Sequence, residues 1–223
     1  SNYSISSIAV TDSGNYSCFI SSSTGSITSN TASLQVYEVP PITSVTNDTL
    51  CGANQALLNA TSPSGIVEWY TDSVGGSLIV IGTDYLTPVL YSSRTVYVQA
   101  TANGCISFTR TPVTAVIKVL PSITATQPAS RCSAGKLTLG ASASAGTVNW
   151  YTSLISGTLV CTDTIFLTPT LTSTTTYYVE AVYNGCISSP RITVEATINS
   201  NSTSITSTTP AYRCGPGTVV LGA

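Results

Sequence analysis

The 223-residue sequence has no histidine and no methionine, and only 7% of its residues are charged, against roughly a quarter in an average globular protein. Seven basic and nine acidic side chains leave a net charge of −2, so no basic field exists to steer a nucleic acid onto the chain. The commonest general base and metal ligand is missing, and an enzyme would have only nine scattered carboxylates to work with. The expectation is a protein with no catalytic residues, no cofactor and no metal. Long apolar runs are absent too: the stretch from Leu78 to Ile81 is typical of the longest, whereas a membrane helix needs roughly 20 residues, so no membrane insertion is expected. The opening Ser1-Asn2-Tyr3-Ser4 has neither the basic region nor the apolar stretch of a secretory signal.

What is present is a core. Hydrophobic residues make up 42% of the chain, which separates it from disordered sequences that are apolar-poor and highly charged. Serine and threonine together fill 71 of the 223 positions, giving a surface that binds water without a strong field. A shift of 81 residues aligns Pro40–Ile117 with Pro121–Ile198 without a gap, and 33 of these 78 positions are identical. The matches include Cys51 with Cys132, Trp69-Tyr70-Thr71 with Trp150-Tyr151-Thr152, Leu86-Thr87-Pro88 with Leu167-Thr168-Pro169, and Asn103-Gly104-Cys105-Ile106-Ser107 with Asn184-Gly185-Cys186-Ile187-Ser188. A third copy opens at Ile205-Thr206, passes through Arg213-Cys214 and ends after one expected strand at Leu221-Gly222-Ala223. Since the sequence begins and ends inside such units, it reads as an internal piece of a longer exported protein.

Within each copy apolar residues alternate at period two, as in Val148-Asn149-Trp150, and no stretch has a helical period. Short strand-like runs broken by Gly, Ser, Pro and Asn-Gly predict an all-β fold, a two-sheet sandwich of about seven strands in each copy. Asn103-Gly104 and Asn184-Gly185 are type I′ hairpin signals. Residues 1–38 differ. Asp12-Ser13-Gly14-Asn15-Tyr16-Ser17-Cys18 resembles the D-x-G-x-Y-x-C corner of an immunoglobulin domain, with the Tyr16 hydroxyl expected to bond back to the turn and Thr31–Tyr37 to form the closing strand. The expected division is 1–38 as the end of an immunoglobulin domain, 39–119 and 120–199 as two immunoglobulin-like repeats, and 200–223 as the start of a third.

Seven cysteines fit a disulfide framework and an oxidising compartment. Cys51 to Cys105 and Cys132 to Cys186 share one spacing of 54, and these intradomain bridges are the expected pairs, leaving Cys18 and Cys214 with partners outside the sequence. The alternative is a bridge between neighbouring domains, as Cys51 to Cys186 would make, because the two cysteines of one copy stand near opposite ends of an immunoglobulin sandwich while bridged Cα atoms lie within about 7 Å. Cys161 has no counterpart, Val80 standing at its place in the first copy. It reads as a small buried hydrophobe on a strand, with a free thiol as its second reading.

The ordered motifs R-C-x-x-G, V-x-W-Y-T, L-T-P-x-L, T-x-Y-V-x-A, N-G-C-I-S and R-x-x-V-x-A resemble the immunoglobulin-like repeat of giant cell-surface proteins of Bacteroidetes, over residues 40–223. The resemblance implies a tandem array of β-sandwich domains exported by the type IX secretion system, held on the outer surface by outer-membrane attachment proteins, and serving in an adhesin, often one used in gliding motility. It also implies that other parts of such a protein meet the external surface or glycan. Short linkers, such as Val116–Pro121, stiffened by proline, would stack the domains into a semi-rigid extended array. The alternative is an array of carbohydrate-binding or accessory modules on a secreted polysaccharide-degrading enzyme.

Three sites match the D-S/T-aliphatic pattern that carries O-glycans in exported proteins of that group: Thr49, Ser73 and Thr164, after Asp48, Asp72 and Asp163. Each is otherwise an ordinary turn residue. Trp69 and Trp150 are expected in the core, not on a sugar platform, while Tyr91 and Tyr183 are expected to be exposed. Lys118 and Lys136 do not recur between copies, which argues against an isopeptide crosslink.

Overall fold

The computed structural model describes residues 2–199 and 207–221, arranged as two compact units, Ser1–Lys118 and Val119–Ala223. Among the described residues, apart from one 3-10 turn at Val10–Asp12, every regular element is a strand. The all-β expectation holds.

The first unit opens with four short strands: β1 (Gly14–Tyr16), β2 (Phe19–Ser22), β3 (Gly25–Thr28) and β4 (Ala32–Leu34). β1 pairs with β4 and β2 with β3. The Tyr16 hydroxyl donates to the Asp12 carbonyl at 2.7 Å, the corner that the motif predicts. Phe19, Ile20 and Ile27 are more than half exposed, so this piece has no core of its own.

The first full sandwich follows. Its strands are β5 (Ser44–Thr46), β6 (Asp48–Cys51), β7 (Leu57–Thr61), β8 (Ile66–Tyr70), β9 (Leu78–Ile81), β10 (Asp84–Leu86), β11 (Arg94–Ala102), β12 (Cys105–Ile106) and β13 (Thr111–Lys118). One sheet has the order β10-β7-β5, the other β6-β13-β11-β8-β9 with β12 folded onto β11. Only β6 and β13 pair in parallel in this sandwich. Alternate residues turn inward, so Leu58, Trp69, Val98 and Val113 are buried between the sheets. The Trp69 indole N–H donates to the Gly82 carbonyl at 2.8 Å, which satisfies the ring's one polar group inside the core.

In the second unit the same plan recurs through β14 (Ile123–Gln127), β15 (Ala129–Arg131), β16 (Thr138–Ala143), β17 (Thr147–Tyr151), β18 (Leu159–Thr162), β19 (Ile165–Leu167), β20 (Thr175–Tyr183), β21 (Cys186–Ile187) and β22 (Ile192–Ile198). The sheets are β14-β16-β19 and β15-β22-β20-β17-β18, with β21 on β20 and β15 parallel to β22. Trp150 takes the place of Trp69, bonds to the Asp163 carbonyl at 2.8 Å and packs on Phe166.

Each sandwich thus has nine strands where about seven were expected. The first strand is broken so that its halves serve different sheets: Asn47 separates β5 from β6, and Pro128, which has no N–H to give a ladder, separates β14 from β15. The cysteine hairpins supply the further two-residue strands. The linker is also shorter than expected, because β13 continues to Lys118 beside β6 and only residues 119–122 lie between β13 and β14. Ile205-Thr206 and Gly222-Ala223 lie outside the described residues, and 207–221 form no strand.

Candidate functional site

The recurrent sequence motifs prove to be internal supports. In Leu86-Thr87-Pro88 and Leu167-Thr168-Pro169 the threonines are 1% exposed. Thr87 Oγ1 accepts from the Ala56 N–H at 2.9 Å and Thr168 Oγ1 from the Leu137 N–H at 3.0 Å, so each hydroxyl pairs a buried backbone donor that would otherwise be orphaned. In the N-G-C-I-S motif, Ser107 Oγ accepts from the Ala100 N–H and donates to the Pro40 carbonyl, and Ser188 Oγ accepts from the Ala181 N–H. Asn103 and Gly104 have φ of 49° and 81°, and Asn184 and Gly185 of 49° and 82°. Positive φ at both central residues is what a type I′ turn demands.

The cysteines depart from the expected pairing. Cys51 ends β6 level with Lys118 of β13, while Cys105 faces Ala102 at the far end of β11. With Arg94 opposite Ala115, the two cysteines lie about ten residues apart along the sheet, roughly 33 Å at the strand rise, far beyond disulfide reach. In the second sandwich Arg131, next to Cys132, faces Ile198, whereas Cys186 faces Tyr183 at the opposite end of β20. Neither Cys51–Cys105 nor Cys132–Cys186 forms. Cys51 and Cys186 are each a half-cystine, and Cys105 and Cys132 are thiols, as are Cys18, Cys161 and Cys214. Cys161 on β18 packs against the second core, where burial, followed by the charge of Asp163, raises its thiol above the ordinary cysteine value.

An arginine clamp on each sandwich was not found from the sequence. The Arg110 guanidinium lies 3.5 Å from the centre of the Tyr70 ring. Its Nε donates to Gln99 Oε1 at 3.0 Å, and Nη1 donates to the Asp72 and Gly75 carbonyls, tying the β8–β9 loop to the sheet. Glu68 Oε2 accepts from Gln99 Nε2, Thr101 Oγ1 and the Tyr70 hydroxyl. Burial pushes the Glu68 carboxyl up, but these three hydrogen bonds and the Arg110 charge outweigh it and hold the group below its ordinary value.

In the second sandwich Arg191 Nε meets Glu180 Oε2 at 2.7 Å, its guanidinium lies 3.4 Å from the centre of the Tyr151 ring, and Nη1 donates to the Ser153 carbonyl. The Tyr151 hydroxyl donates to Glu180 Oε1, and burial, then Glu180, raise the phenol above its ordinary value. The arginine of R-x-x-V-x-A and the tyrosine of W-Y-T were visible as repeated letters. Their meeting required the fold.

Beside each clamp is an open groove, about 370 Å³ next to Arg110 with Val74, Ile106 and Phe108 on its rim, and about 480 Å³ next to Arg191 with Leu154, Ile155 and Ile187. Thr49, Ser73 and Thr164 are all exposed, and Thr49 and Thr164 follow aspartates whose Oδ1 accepts their N–H. Trp69 and Trp150 are fully buried, and Tyr91 is 84% exposed. Among the described residues no group of three or more His, Cys, Asp or Glu is placed to hold a metal, and no helix is long and apolar enough to cross a membrane.

Two consecutive sandwiches, each setting three strands against six around a pinned tryptophan, define a tandem immunoglobulin-like protein. The chain belongs to the family of Ig-like domains described as CHU_C associated, which matches residues 38–118 and 119–199. Domains of this fold are typically non-catalytic. Among solved structures it is similar to extracellular domains 3–5 of Drosophila OTK, at 17% identity over 86% of this chain and 73% of that one, with a TM-score of 0.48. An I-band fragment of titin is 14% identical over 86% and 76%, TM-score 0.44, and fibronectin(III)-like modules of Clostridium thermocellum CbhA are 19% identical over 72% and 94%, TM-score 0.40. No curated protein matches.

Proposed function

We propose that this chain is a stalk segment of a large extracellular bacterial adhesin, whose task is to carry other parts of the protein to an external surface or glycan. The observation behind this reading is the gap-free recurrence of one complete sandwich, with 33 of 78 positions kept, in which the kept residues are core, turn and clamp. Such conservation between copies serves a repeated building unit better than a ligand site. Half-cystines at Cys51 and Cys186 suit an oxidising, exported setting. In this reading the protein leaves the cell through the type IX secretion machinery, is retained by outer-membrane attachment proteins and serves gliding motility. Thr49, Ser73 and Thr164 carry O-glycans that add bulk and shield the backbone from proteases.

Surface proteolysis of intact cells is the test. Peptides from residues 39–199 should be released from wild-type cells, be absent from the surface of a type IX secretion mutant, and carry added sugar mass at the three sites. Deletion of the gene should abolish attachment or gliding. Peptides found only inside the envelope would refute the reading, and a soluble secreted protein with a polysaccharide-cleaving domain would replace it with an accessory-module role.

A further inference from the structure

The repeat has two classes of cysteine. Cys51 ends, and Cys132 directly follows, the strand that pairs in parallel with the last strand of the sandwich, and Cys105 and Cys186 open the two-residue strand after the Asn-Gly turn. One member of each class is oxidised, Cys51 of the first and Cys186 of the second, while Cys132 and Cys105 are thiols. Local structure does not account for the difference, because Leu50 and Arg131 meet equivalent residues, Ile117 and Ile198, across the same parallel ladder. Nor can Cys132 use its own hairpin cysteine, which lies roughly 33 Å away along the strands.

Cys132 is moreover held out for contact. It is exposed, on a turn pinned by Arg131, whose Nη1 donates to the Lys136 carbonyl at 3.2 Å. The guanidinium occupies the space that a side chain at Gly135 would need. Arg213 repeats this ahead of Cys214, donating to the Thr218 carbonyl and filling the space at Gly217.

We propose that Cys132 is a covalent docking site for the hairpin cysteine of a further repeat of this kind in the same protein, beyond the two described above. The inference rests on the stalk reading and adds to it a defined crosslink. The reaction is a thiol–disulfide exchange. The Cys132 thiolate attacks the disulfide of an exported oxidoreductase, expelling one of its thiolates. The hairpin thiolate then attacks the Cys132 sulfur of the mixed disulfide, releasing the oxidoreductase as a dithiol. Two protons and two electrons leave the repeat cysteines, and one S–S bond joins them.

The full-length protein, recovered from the cell surface with its thiols alkylated at once, should be digested without reduction and mapped by mass. The Cys132 peptide should be missing from the alkylated pool and appear joined to an Asn-Gly-Cys hairpin peptide of another repeat, two hydrogens lighter than their sum. In a Cys132→Ser protein that hairpin peptide should return to the alkylated pool while the other cysteines keep their states. Recovery of Cys132 alkylated, or bonded to Cys161, Cys105 or a small thiol, would overturn the proposal and leave the stalk reading standing. A full-length protein without further repeats would defeat the stalk reading itself, and this crosslink with it.

Discussion

Glu68 and Gln99 face each other across β8 and β11, and Gln99 Nε2 donates to the Glu68 carboxylate at 3.0 Å. One repeat later the same two positions hold Asn149 and Glu180, so the carboxylate has moved to the partner strand while the arginine and tyrosine stay in place. Arg191 meets its carboxylate directly, whereas Arg110 reaches the Glu68 carboxylate through Gln99.

That exchange can be tested in the second sandwich. Glu180→Gln should cost about 2 kcal/mol, since it removes a charged hydrogen bond from a largely buried guanidinium. Asn149 Oδ1 is buried without a hydrogen-bond partner, so a glutamate there has a polar position to fill. The double variant Asn149→Glu, Glu180→Gln should recover more than half of the loss in urea unfolding. A double variant no better than the single one would show that the strand matters.

Thr168→Val keeps the shape of the side chain and leaves the Leu137 N–H without its acceptor. A loss of about 2 kcal/mol is expected, with Thr168→Ser close to wild type. Thermal unfolding followed by tryptophan fluorescence reads this, and equal losses in both variants would assign the effect to packing.

The Glu68 carboxyl sits below its unfolded value, so its contribution is complete above the unfolded pKa, about 4.3, and fades as pH falls through the lower folded pKa. The stability difference between wild type and Glu68→Gln should therefore be constant near neutrality and shrink in acid. A difference that grows toward low pH would contradict the hydrogen-bonded carboxylate.

Cys161 is half-buried, and burial and Asp163 raise its thiol. Once the disulfides are reduced, it should alkylate more slowly than exposed Cys132 at neutral pH, because the thiolate is the reacting form. Timed labelling with mass detection of each cysteine peptide measures the order, and equal rates would mean that β18 does not hold Cys161 against the core.

Much of this was legible in the letters. Period-two alternation, Asn-Gly turns and the buried Trp69 and Trp150 are local or repeated signals, and they led to the right fold class. The pairing of Cys51 with Cys105 failed because equal spacing says nothing about which pole of a sheet each residue reaches. That depends on the parallel register of Leu50 on Ile117, which no local pattern encodes. The arginine clamps were hidden for a related reason: Arg110 and Tyr70 stand 40 positions apart in the sequence, and the acid beside them changes strand between copies.

The parallel ladder of β6 on β13, matched by β15 on β22, carries a mechanical meaning. The second half of the broken entry strand and the exit strand of each sandwich point the same way, so tension on the two drags them past each other lengthwise. Rungs loaded in that direction must yield together, whereas an antiparallel hairpin pulled at its open end unzips one rung at a time.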